Sequence, residues 1–287
     1  MKRLFVLIAI FILFFNLENK AEYKFKYNLS KPDIKQQLPP VLNEVSGLTD
    51  IDSKHVALVQ DELGIVFIYD FVNGKIISQY EFEDAGDFEG LTYTGNSIYI
   101  LRSDGRLTEW KNFLNEDAKF THHQLNLQTS NNEGLCYDAK HNRILIAAKS
   151  KPLIHDFKEQ RYIYSYDITT EKLLEKPIYS INTNDIQKLA DKLNIKTNTA
   201  KGKKIHFNFR PSSLAIHPVT DEIYIISAAE KLILIINRKG ELIHLEKLNE
   251  ELFLKAEGIT FLPDGTMIIT NEAVDKYPTL LVFKMNK

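Results

Sequence analysis

Three glutamates recur at one position of a repeated pattern, and no other residues of this sequence are better spaced to act together. The segments Glu44-Val45-Ser46-Gly47-Leu48-Thr49, Phe88-Glu89-Gly90-Leu91-Thr92-Tyr93 and Asn132-Glu133-Gly134-Leu135-Cys136-Tyr137 share that pattern. So do Pro211-Ser212-Ser213-Leu214-Ala215-Ile216 and Ala256-Glu257-Gly258-Ile259-Thr260-Phe261. Aligned on the residue before the glycine or its substitute, they give Ser46, Glu89, Glu133, Ser212 and Glu257, at steps of 43, 44, 79 and 45 residues. Equivalent residues of stacked repeats point at one place, so the glutamates should converge, with the two serines completing the set. At separations of ~5–6 Å and an effective dielectric of ~20, each carboxylate pair costs about 3 kcal/mol. Protonation, an interposed Arg102 or Lys149, or a captured cation would relieve that. The expected donors are all oxygens, which suits calcium or magnesium and disfavours zinc. A loose ring drawn from separate repeats fits calcium better than a tight magnesium octahedron. A calcium ion on Glu89, Glu133 and Glu257 is therefore expected.

Other polar residues should reach the same end. Glu44 lies two residues before Ser46, and the chain returns to that end two strand lengths later, at Asp61, Arg102, Lys149, Asn271 and Glu272. Together with Ser46 and Ser212 these are the candidate ligand-binding residues, lining a polar funnel with both charge signs. The competing reading is structural: each glutamate accepts hydrogen bonds from the next repeat or pairs with Arg102 or Lys149. No catalytic residue is identified. Ser46 and Ser212-Ser213 have no recognisable histidine partner, and no Gly-x-Ser-x-Gly elbow, phosphate-binding Gly-Lys-Ser/Thr loop or Cys-x-x-Cys occurs. The eight histidines are scattered without zinc-helix spacing.

A period of ~40–50 residues is that of one four-stranded propeller blade. After each segment a short turn leads into an apolar β-branched run, at 55–59, 97–101, 143–147, 222–226 and 266–270. These runs are too short for helices and are bounded by turn residues, as buried strands are. A third strand follows each of them, and turns such as Asn73-Gly74 and Lys239-Gly240 introduce a fourth. The unit is an antiparallel meander, and the fold is an all-β propeller of five blades, with six as the alternative. The last unit supplies only three strands. Residues 22–29 (EYKFKYNL) alternate apolar and polar side chains and are expected to close the ring as its fourth strand. The 79-residue step is read as an insertion over 180–206, with a helix near 183–195 carrying apolar residues at 186, 189, 190 and 193.

Lys2 and Arg3 precede an unbroken apolar run over 4–15, which is short for a spanning helix and matches the core of a signal sequence. Residues 1–21 are therefore a signal peptide or an uncleaved anchor, and 22–287 one exported domain, periplasmic or on the outer side of the membrane. Membrane association would run through the N-terminal segment. A net charge of −2 gives no field for nucleic acid, and the single Cys136 allows no internal disulfide. The body is expected to be monomeric.

The spaced Ser-Gly-Leu, Glu-Gly-Leu, Glu-Gly-Leu, Pro-Ser-Ser-Leu and Glu-Gly-Ile segments, with the leader, resemble the SdiA-regulated domain family of bacterial propellers over about residues 38–285. That resemblance implies an envelope- or membrane-associated protein and no particular chemistry. The segments are also similar to those of phytase-like, calcium-dependent propeller hydrolases, a likeness that shared architecture can produce. Two function classes follow. One is a module that binds a ligand or partner protein at the cell envelope; the other is a calcium-dependent hydrolase of phosphoesters, esters or lactones.

Overall fold

Five β-sheets, each a meander of antiparallel strands, are set around one axis in a computed structural model that describes residues 23–115, 119–196 and 208–286. The first strand, β1 (Ile34–Gln37), lies outside the repeat order. Blade 1 is β2 (Val45–Asp50), β3 (His55–Gln60), β4 (Ile65–Asp70) and β5 (Lys75–Glu81). Blade 2 is β6 (Phe88–Tyr93), β7 (Ile98–Arg102), β8 (Arg106–Lys111) and β9 (Lys119–Gln124). Blade 3 has β10 (Asn132–Asp138), β11 (Arg143–Ala148) and β12 (Gln160–Asp167), and its outer position is shared by β13 (Lys172–Leu173) and β14 (Tyr179–Asn182). Pro177, which has no N–H to give a ladder, falls between those two pieces. Helix α1 (Thr183–Lys192) follows. Blade 4 is β15 (Ser213–Ile216), β16 (Ile223–Ser227), β17 (Leu232–Ile236) and β18 (Leu242–Lys247). Blade 5 is β19 (Ala256–Phe261), β20 (Met267–Asn271) and β21 (Thr279–Phe283), completed by β1.

The ring closes as expected in kind, but with a different strand. β1 pairs antiparallel with β21, in the register Ile34 to Val282, whereas residues 23–29 form no ladder. Their alternation has another cause. Tyr23 stacks on His244, and Phe25 and Tyr27 meet Tyr224, so the aromatic face of this segment packs over the seam between blades 4 and 5. The Tyr27 hydroxyl donates to Gly265 O at 2.6 Å, and Asn286 N donates to Lys26 O at 2.8 Å. The segment is a strap that ties the two ends of the chain together. β1 is further tied to blade 1, because Gln36 accepts from the Tyr69 hydroxyl at 2.7 Å and donates to Phe71 O at 2.8 Å.

The helix is present, capped by Asn182, whose side chain accepts from Asn184 N at 2.9 Å. Ile186 and Ala190 bury against the seam of blades 3 and 4. Residues 180–182, read from sequence as insertion, instead pair with β12 as part of β14. The remainder of the insertion beyond Lys196 lies outside the described residues until Asn208, as does the apolar run over 4–15. No helix among the described residues is long and apolar enough to cross a membrane.

The hydrophobic interior is divided into five clusters, one at each seam between neighbouring sheets. The repeated glycine explains how the inner strands approach so closely there. A Cβ on Gly90 would lie 2.5 Å from Glu133 O, and one on Gly47 would lie 2.8 Å from Leu91 N. A third element of the pattern stitches the seams. Thr49 Oγ1 accepts from Tyr93 N at 3.2 Å, Thr92 from Tyr137 N at 2.9 Å, and Thr260 from Asp50 N at 3.3 Å. Blade 4 has Ala215 at that position and uses Ser213 instead, whose hydroxyl accepts from Ile259 N at 3.2 Å.

Candidate functional site

The ring residues are re-aimed by a shared backbone device. In blades 1, 2, 3 and 5 the register of the inner strand shifts between Val45 and Gly47, Phe88 and Gly90, Asn132 and Gly134, and Ala256 and Gly258. The residue left out of the ladder in each case is Ser46, Glu89, Glu133 or Glu257. A β-bulge inserts one extra residue and turns its side chain away from the pleat. Here it brings three glutamates into mutual electrostatic contact. In blade 4 the ladder begins only at Ser213, after Pro211, and Ser212 N donates to Ile226 O at 2.8 Å. Ser212 instead donates to Ala256 O at 3.0 Å and accepts from Ala228 N at 3.3 Å, so it latches blades 4 and 5 rather than serving the funnel.

Glu133 is 2% exposed and lies 2.5 Å from the Lys149 ammonium, with Asn131 Nδ2 donating at 3.2 Å. Burial, helped by Glu89 and Glu257, outweighs the attraction of Lys149 and pushes its carboxyl up to about 8. Glu89 accepts from the Ser46 hydroxyl at 2.9 Å; burial, Asp87 and Glu257 push it up to about 7 against the pull of Ser46 and Lys149. Lys149 is itself held above the usual lysine range: burial opposes its charge, but Glu133, Glu257 and Glu89 together prevail. Lys149 thus supplies the cation that three converging carboxylates require. Arg102, the other expected counter-ion, turns away to Asp104 at 2.6 Å and Glu83 at 3.6 Å, on the loops outside the ring.

A second charged group adjoins the first at the seam of blades 5 and 1. Lys255 pairs with Glu272 and lies 3.7 Å from Glu257 Oε1. Burial and a hydrogen bond with Glu44 push Glu272 up to about 7, against Lys255. Asp61 is pushed up to about 6 by burial and by Glu44 and Glu62. Glu44, Asp61, Glu257 and Glu272 therefore do share one end with Lys255. Asn271 is tied elsewhere by its amide nitrogen, which donates to Leu252 O on the connection from blade 4 and to Thr279 Oγ1 of blade 5. Asp61 Oδ1 and Glu257 Oε1 are buried acceptors with no hydrogen-bond donor, as is Asn131 Oδ1.

Sequence reasoning missed Lys255, Asp87 and Asn131, although a signal existed. They stand two residues before Glu257, Glu89 and Glu133, the offset already noticed between Glu44 and Ser46. The same offset is polar in all five repeats, with Arg210 before Ser212. Among the described residues no group of three or more His, Cys, Asp or Glu side chains is disposed to hold a metal ion.

The sequence profile of the SdiA-regulated family matches residues 19–280. No curated protein matches the chain. Among solved structures it is similar to Myxococcus xanthus glutaminyl cyclase, with 13% identity and a TM-score of 0.59 over 89% of this chain and 96% of that one. It is also similar to a chain of a nidogen/laminin complex, with 11% identity and a TM-score of 0.50 over 79% and 72% of the two chains. At these identities the likeness is one of fold alone.

Proposed function

The chain belongs to the SdiA-regulated family, and from that premise we propose that it is an exported, membrane-associated binding propeller whose axial mouth takes a positively charged ligand at the cell envelope. The observation that carries this is the bulged ring. Glu89, Glu133 and Glu257 are aimed at one place and already hold the Lys149 ammonium among them. Bulges that re-aim side chains are concentrated at functional sites. Location outside the cytoplasm is supported by the Lys2-Arg3 start and the apolar run over 4–15. A ligand that binds only the folded state raises the melting temperature with its concentration. The test is a melting series of the full chain against calcium and against simple organic cations, repeated with Glu89→Gln. A cation-dependent rise that the variant loses supports the reading; curves unmoved by every cation sink it. Calcium, the cation expected from the sequence, is read in the same series.

The second reading is a hydrolase, favoured by one observation: Glu133 and Glu89 hold protons near neutrality, as general acids do. A screen of phosphoesters, esters and lactones, with turnover lost in Glu133→Gln, is the result that would promote it.

A further inference from the structure

The protein's own lysine displays the chemistry that the ring accepts. Lys149 Nζ lies 2.5 Å from Glu133 Oε1 and is drawn as well to Glu257 and Glu89, so an alkylammonium already sits among the bulged carboxylates. Of the acceptors left without a donor, one belongs to the bulged glutamates. Glu257 is 4% exposed, and its Oε1 has no hydrogen-bond donor. The Lys255 ammonium stops 3.7 Å short of it because Glu272 holds that ammonium in a closer pair. A buried carboxylate oxygen without a donor is costly, and a charged N–H donor is the strongest remedy. The surroundings favour the same answer: among the described residues Glu44, Asp61, Glu89, Glu133, Glu257 and Glu272 gather around Lys149 and Lys255, and the carboxyls that keep a proton near neutrality can release it when a cation arrives. The side chains of these two lysines are 27% and 40% exposed, which opens the mouth to solvent.

Resting on the reading that the axial mouth is a ligand site, we propose that its ligand is an organic ammonium, a primary amine on an alkyl chain, which donates to Glu257 Oε1 beside Lys149. An ammonium has three N–H donors and needs no cage of ligands, whereas among the described residues no three His, Cys, Asp or Glu side chains are disposed to hold a metal. The same chemistry is offered by a free diamine and by a lysine side chain on a partner protein.

The full chain, purified in detergent, is titrated by calorimetry with cadaverine, with pentanediol, with a short lysine-containing peptide blocked at both ends, and with calcium chloride. Cadaverine or the peptide should bind and the diol should not. Glu257→Gln keeps the side-chain volume and should weaken binding about tenfold or more, the loss of one charged hydrogen bond. Lys149→Met removes the internal competitor and should tighten binding by about tenfold, by the same arithmetic. Binding of free cadaverine marks a small-molecule ligand and binding of the peptide alone marks a partner protein; either supports the ammonium. Diol binding as tight as that of the diamine, or amine binding that ignores Glu257→Gln, overturns it. Calcium binding alone, lost in Glu257→Gln, overturns the ammonium and leaves the ligand site standing. Silence from all four probes removes both.

Discussion

Glu133 should make the protein less stable as pH rises through neutrality, against the usual behaviour of a salt-bridged carboxylate. Its carboxyl is pushed from 4.5 up to about 8 by burial and by Glu89 and Glu257, in spite of Lys149. Between those values the folded chain keeps a proton that the unfolded chain has released. Its contribution is therefore fully present below about 4.5 and is lost as pH climbs through about 8, at roughly 1.4 kcal/mol per pH unit. From about pH 5.5 to 7.5 the loss amounts to about 3 kcal/mol. Glu89, pushed up to about 7, acts in the same direction. Glu133→Gln cannot ionise and keeps the volume of the side chain, so it should remove this slope. Urea unfolding of parent and variant at a series of pH values reads the difference. The variant's advantage should grow by roughly 1.4 kcal/mol per pH unit across that window. Parallel curves, or a parent that gains stability between those pH values, would refute the assignment of a proton to Glu133.

Other expectations follow from the seams and the ends of the chain. Gly90→Ala puts a Cβ 2.5 Å from Glu133 O and should cost about 1–3 kcal/mol in urea unfolding; an unchanged midpoint would mean that the inner strands are not so closely packed. Thr92→Val leaves Tyr137 N–H without its acceptor and should cost about 1–3 kcal/mol by the same measure. A chain begun at Leu38 lacks β1 and bares the edge of β21, so light scattering should show aggregation that the full chain does not. A reporter active only outside the cytoplasm, fused after Lys287, should be active; activity of a cytoplasmic reporter alone would contradict export.

The repeat made the blade count and the ring positions readable, because Glu-Gly-Leu encodes three physical demands at once. The glutamate occupies the bulge, the glycine allows the next strand to approach, and the leucine fills the seam. The closing strand was hidden because an outer strand is only half covered. β1 reads Ile-Lys-Gln-Gln and has no apolar signature, while the strap at 23–29 alternates for reasons of aromatic packing. Arg102 misled for a related reason: sequence position gives the end of the barrel at which a residue lies, not the direction of its side chain. Its neighbours Asp104 and Glu83, on two loops, draw it outward. Ser212 aligned with the ring by sequence, but its hydroxyl is spent on the backbone of blades 4 and 5.

The central claim, that the bulged glutamates form the mouth for a cationic ligand, is tested most directly by a crystal structure of the full chain grown with cadaverine. An ammonium nitrogen should lie about 2.7–2.9 Å from Glu257 Oε1, the distance of a charged hydrogen bond, with Lys149 still paired to Glu133. A diamine bound elsewhere, with the ring unchanged and Glu257 Oε1 still without a donor, would contradict it.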